Sequence, residues 1–88
     1  MRENLMKLKH SVVALDADGN TIGRIPVGRS GKAIVWETED HSMAVHIAGY
    51  CSYLVHVCER YISIEGRQHK PAGFEVISEE VKEINEEG

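Results

Sequence analysis

Between Tyr50 and Ile64 the chain reads YCSYLVHVCERYISI, its densest apolar stretch. Placed at 100° per residue, Ser52, His56, Glu59, Arg60 and Ser63 fall within one arc of roughly 100°. Tyr50, Tyr53, Leu54, Val57, Cys58 and Tyr61 fall opposite, with Cys51, Val55 and Ile62 on the flanks. This segregation predicts an amphipathic helix over 50–64. Gly49 and Gly66 bracket it, Gly66 as a residue suited to the position after a helix end. Arg67, His69 and Lys70 follow, where cations favour a helix C-terminus. Read as a strand, the segment would put Leu54, His56, Cys58, Arg60, Ile62 and Ile64 on one face, mixing apolar with charged. Helix is therefore the better reading of 53–64.

The rest of the chain is expected to cover this helix. Met1–Lys9 is a polar leader, frayed, from which Leu5, Met6 and Leu8 can dock. Ser11–Leu15 has β-branched strand character. Asp16–Asn20 is a turn, because Asp-Gly supplies a positive-φ position and side chains that bond their own backbone. Thr21–Val27 returns as a second strand, at an edge because Pro26 cannot donate to a ladder. Gly28–Gly31 is a loop. Lys32–Glu37 is a third strand that carries Trp36. Ser42–Ala48 alternates, with Met43, Val45 and Ile47 on one face, and is expected to be a fourth strand. Phe74–Ile77 is a short fifth strand. Ser78 then reads as the N-cap of an acidic helix, with Ile77, Val81 and Ile84 as its apolar stripe to about Asn85. The expected architecture is α+β: an antiparallel β-meander of about four strands plus a short fifth, packed on a central helix, with a short acidic C-terminal helix.

Eighty-eight residues, 42% of them apolar, make a single domain with one small core. The net charge of −4 is unevenly spread. Residues 1–70 carry nine Lys/Arg against eight Asp/Glu, whereas 71–88 carry one Lys against six Glu. Nucleic acid held by bulk charge is disfavoured on this balance. The two cysteines, Cys51 and Cys58, would lie about 10 Å apart along the proposed helix at 1.5 Å per residue. A disulfide needs Cα atoms within about 7 Å. They are therefore expected to be reduced packing residues of a cytoplasmic protein. No run approaches the roughly 18 apolar residues of a membrane span, and no secretion signal is visible.

Several motifs come close to known chemistry. Gly23–Ser30 nearly spells the phosphate-binding loop G-x-x-x-x-G-K-[ST], but Arg29 stands in place of the lysine and Pro26 lies inside it. Val27–Ile34, with Gly28, Arg29, Ser30 and Gly31, resembles the G-x-x-G clamp of K-homology RNA-binding domains. That resemblance would require a helix before the loop, where Gly19, Gly23 and Pro26 stand. Independently of any family, Arg24, Arg29 and Lys32 form one basic loop region, and Arg67 and Lys70, with His69, form another. Together they are the candidate site for an anion or a nucleic-acid backbone.

Five histidines and two cysteines lack zinc-ligand spacing, so no metal and no cofactor is expected. No catalytic residue is assigned. His46 and Cys51 are the closest approach to a nucleophile–base pair. The proposed helix has an apolar arc near 200°, wider than one sheet face covers. Its second side needs the C-terminal helix, a second subunit or another protein. Tyr50, Tyr53 and Tyr61, with Trp36, are the candidate interaction surface. The expected function is that of a small non-catalytic protein-interaction module acting as a homo-oligomer. Anion or nucleic-acid binding is the alternative, and a small enzyme with a thiol or histidine site comes third.

Overall fold

The computed structural model describes residues 5–27 and 34–83. In chain order it holds strands β1 (Leu5–Leu15), β2 (Thr21–Arg24), β3 (Pro26–Val27) and β4 (Ile34–Val35). Helix α1 (His41–His56) follows, then β5 (Ile62–Ile64), β6 (Arg67–His69) and β7 (Gly73–Glu83). The fold is α+β, with one helix among the described residues and antiparallel strands around it.

The long β1 is the centre of the main sheet, whose order is β2-β1-β7. Leu5–Lys9, expected to be frayed, belong to this strand. Asp16 closes the β1–β2 hairpin. One of its carboxylate oxygens accepts from the backbone N–H of Asp18 and of Asn20, both at 2.9 Å. Gly19 takes the positive φ of +85° that the turn requires. Strand β7 runs antiparallel along the whole of β1, from Leu5↔Glu83 to Leu15↔Gly73. Cross-strand pairs place Val12 with Val76 and Ala14 with Phe74 on the face that meets the helix. There Val12, Ile25 and Cys51 form the core, with Trp36, Ile47, Ala48, Phe74 and Val76 packed against it. On the far face, Arg24 donates to Glu79 at 3.0 Å across the sheet. Gly23 is needed for close approach rather than for its φ: a Cβ there would lie 2.8 Å from Ile64 Cγ2.

The start of α1 is pinned to the sheet by a chain of polar contacts. His10 and Thr38 exchange backbone hydrogen bonds of 2.7 and 3.0 Å. The Thr38 hydroxyl accepts from the Asp40 N–H at 3.1 Å. Asp40 caps the helix, accepting from Ser42 N–H at 3.0 Å and Met43 N–H at 3.3 Å. Buried His10 is satisfied by the Ser78 hydroxyl, 2.7 Å from its Nδ1, and its ring stands edge-on to His41.

Four expectations are corrected. The helix spans 41–56, not 50–64, so Ser42–Ala48 is helical and Gly49 lies inside the helix. The helix leaves its path after His56. Val57 and Cys58 both donate to the Tyr53 carbonyl, and Glu59 takes a left-handed φ of +55°. The β-branched Ile62 and Ile64 then pair with Arg67–His69 through a turn whose two residues, Glu65 and Gly66, have φ of +52° and +79°. That is the pattern of a tight hairpin, so Gly66 is a hairpin residue and not a helix stop. The expected four-strand meander is replaced by the β2-β1-β7 sheet and two short ribbons, β3–β4 and β5–β6, because the fourth strand is helix and the central partner of β1 comes from the C-terminal side. The acidic helix from Ser78 is replaced, as far as Glu83, by the second half of β7. Backbone pairing with β1 outweighs the capping signal at Ser78, whose hydroxyl is taken by His10. Residues 84–88 lie outside the described residues.

Candidate functional site

Helix α1 carries the candidate site, and its sequence divides into two faces. Ala44, Ile47, Ala48, Cys51 and Val55 recur at i, i+3, i+4, i+7 and i+11 and fall within an arc of roughly 100°. Ala44, Cys51 and Val55 are buried, and Ile47 and Ala48 are packed on the core. This face lies on β1 and β7. The opposite side runs through Met43, Val45, His46, Gly49, Tyr50, Tyr53 and His56 to the cap residue Val57. Met43 is 49% exposed, Val45 50%, Tyr50 55% and Tyr53 52%. No Asp, Glu, Lys or Arg occurs anywhere in the sixteen residues of the helix, in a chain that is 27% charged. Surface helices ordinarily carry charged residues on the solvent side. Gly49 stands in the middle of this outward face, and a Cβ added there would meet nothing within 4 Å among the described residues.

The expected interaction residues are thus only partly brought together. Tyr50 and Tyr53 share the outward face. Tyr61 is also exposed but lies past the helix end, between Glu59 and β5. Trp36 is separate from them: it packs on the core and walls a cleft of about 390 Å³ with Lys9, Val27, Val35, Glu37, Thr38 and Glu39. Tyr50, Tyr53, Val57 and Cys58 were expected on the buried side of a helix and are exposed, because the true helix begins nine residues earlier and turns a different arc to the sheet. Met43, Val45 and Gly49 were missed as surface residues. The signal that finds them is Asp40 as an N-cap followed by the 44-47-48-51-55 stripe.

The basic residues are placed as follows. Arg24 is paired with Glu79 and lines a cleft of about 200 Å³ with Pro26, Val35 and Glu65. Arg67, on β6, lines a second cleft of about 400 Å³ with Ile22, Ile64, Glu65 and His69. Glu65 lines both clefts, so Arg24 and Arg67 each share a cleft with the same acid. Lys70 is exposed beyond β6. Arg29, Lys32 and the Gly28–Gly31 loop lie outside the described residues. The residues before that loop are strands β2 and β3, not the helix that a K-homology clamp requires.

Among the described residues, no three His, Cys, Asp or Glu side chains converge in a way that could hold a metal ion. Cys51 is buried against the core, and burial pushes its thiol up from the ordinary value. His46 is exposed on the other side of the helix, so the two do not form a nucleophile–base pair. Both cysteines are free, and Cys58 is exposed. No helix among the described residues is long and apolar enough to cross a membrane. Compared with protein-family models, with curated proteins and with solved structures, the chain has no match in any of the three.

Proposed function

We propose that this chain is a small, non-catalytic protein-interaction module of the cytoplasm, docking through the outward face of α1 and self-associating there. One observation carries the reading: a sixteen-residue helix without a single Asp, Glu, Lys or Arg leaves Met43, Val45, Tyr50 and Tyr53 about half exposed. Tyr and Met are side chains enriched at protein interfaces, and charged residues are depleted from interface cores. A membrane surface fits less well, because interfacial helices hold anionic headgroups with Lys and Arg on their polar face. Two unpaired cysteines agree with a reducing compartment.

Light scattering coupled to size-exclusion chromatography tests the reading. Apparent mass should rise with loading concentration, and Tyr50→Ser/Tyr53→Ser should hold the chain at monomer mass. A wild type that stays monomeric up to about 1 mM, the weak end of specific affinity, would overturn self-association. Because the face is uncharged, the association should persist between roughly 50 and 500 mM salt. Binding through Arg24, Arg29, Lys32, Arg67 and Lys70 to a nucleic acid would instead collapse over that range.

A further inference from the structure

Gly49 is the residue the monomer does not account for. An exposed glycine inside a helix costs about 1 kcal/mol relative to alanine. Among the described residues nothing lies within 4 Å of the Cβ it lacks, so no contact among them requires its absence. A missing side chain on an apolar helix face is what allows a second helix to approach closely.

The neighbours of Gly49 say what approaches. Val45, Gly49, Tyr53 and Val57 form one i±4 ridge along the outward face, and the ridge is broken at Gly49. Val45 and Val57 stand at equal distances on either side of position 51, and so do Gly49 and Tyr53. So do His46 and His56, on the two flanks of the ridge. A two-fold axis at position 51, perpendicular to the helix, therefore sets Tyr53 of one copy over Gly49 of the other. The same operation sets Val45 against Val57 and His46 against His56. Every pairing is made twice, as an isologous interface demands.

We infer that two copies of this chain pair antiparallel through α1, with the Tyr53 ring of each seated in the gap at the partner's Gly49. This rests on the docking role proposed for α1 and specifies its occupant and register. The charge pattern agrees. Each copy carries −4 with histidine neutral, but none of its Asp, Glu, Lys or Arg side chains lies on α1, so the helix is where two copies meet with only histidines opposed as side chains that titrate near neutral pH. The area agrees with a weak pair. Aromatic side chains present about 150–250 Å² each. Tyr50 and Tyr53, with Met43, Val45 and Val57, all 49–64% exposed, therefore leave roughly 400–500 Å² per copy. A standard interface uses about 800 Å² per partner. Dissociation in the micromolar range or weaker is expected.

The register is tested by complementation, using sedimentation equilibrium of the full chain. Gly49→Leu fills the gap at a position open to solvent in the monomer, so the fold is retained. It should weaken self-association by about tenfold or more, the scale of an overpacking cost. Tyr53→Ala removes the ring and should weaken it similarly. An equimolar mixture of the two variants should associate more tightly than either alone. The mixed pair keeps one native Tyr53–Gly49 contact, and in the other it sets the introduced leucine against the introduced alanine. If Gly49→Leu self-associates like the wild type, or the mixture is no tighter than the separate variants, the inference is overturned. The docking role of α1 itself then stands or falls with Tyr50→Ser/Tyr53→Ser, which removes the surface in any register.

Discussion

Asp40 decides where the helix begins. Its carboxylate takes the Ser42 and Met43 N–H groups, and its own N–H is held by Thr38, which is in turn bridged to His10. Asp40→Ala should lower unfolding free energy by about 1 kcal/mol in urea titration, and Asp40→Asn should recover most of it. Glu65 stands at a left-handed φ of +52°, in a turn type that favours Asn-Gly. Glu65→Asn should therefore raise stability, by up to about 1 kcal/mol, in the same measurement. The two thiols should behave differently. Burial raises the Cys51 thiol from its ordinary 9.0, so the native state favours the protonated form. The stabilisation is complete below about pH 9 and is lost as pH rises through the higher folded value. In native protein a thiol reagent should modify exposed Cys58 first, with Cys51 reacting on the timescale of unfolding.

The helix shows what a sequence reveals at the scale of an element and what it conceals. The β1–β2 hairpin was legible, because Asp16-Ala17-Asp18-Gly19-Asn20 has only one good use and a β-branched run precedes it. The presence of a helix near Tyr50 was also legible, but its limits were not. Met43, Val45 and Ile47 satisfy a period of two as well as they satisfy a helix, and seven residues are too few to separate the two. Tyr61, Ile62 and Ile64 extend the helical wheel by coincidence, although β-branching suits the two isoleucines to the β5 hairpin they form. Strand β7 was half legible. Phe74–Ile77 reads as strand, whereas Ser78-Glu79-Glu80 reads as a cap, and only the partner β1, sixty-odd residues away, decides between them. Tyr50 and Tyr53 point to the candidate surface, but through a wide buried arc that the structure does not contain. Glycine opposes helix interiors, so Gly49 reads as a boundary until the helix is seen to run through it. From that position Gly49→Ala should raise monomer stability by about 1 kcal/mol, read by thermal unfolding of dilute protein.

At the scale of the molecule, the described structure is long and its core is thin. The principal extents are 53 × 27 × 21 Å, and the radius of gyration of 15.4 Å exceeds the roughly 12 Å of a compact domain of this length. The fully buried apolar residues are mostly small: Val12, Ala14, Ala44 and Val55. The larger Tyr50, Tyr53 and Met43 lie outside, on the helix face that turns from the sheet. A second copy on that face would bury them and thicken the core in one step. The most direct measurement is a concentration series of amide correlation spectra on labelled wild-type protein, from about 20 µM to 1 mM, a span chosen for weak affinity. The predicted result is a set of shifts confined to the outward face of α1, at Met43, Val45, His46, Gly49, Tyr50, Tyr53 and Val57. Spectra that do not change with concentration, or shifts that cluster instead around Arg24, Glu65 and Arg67, would contradict pairing through α1.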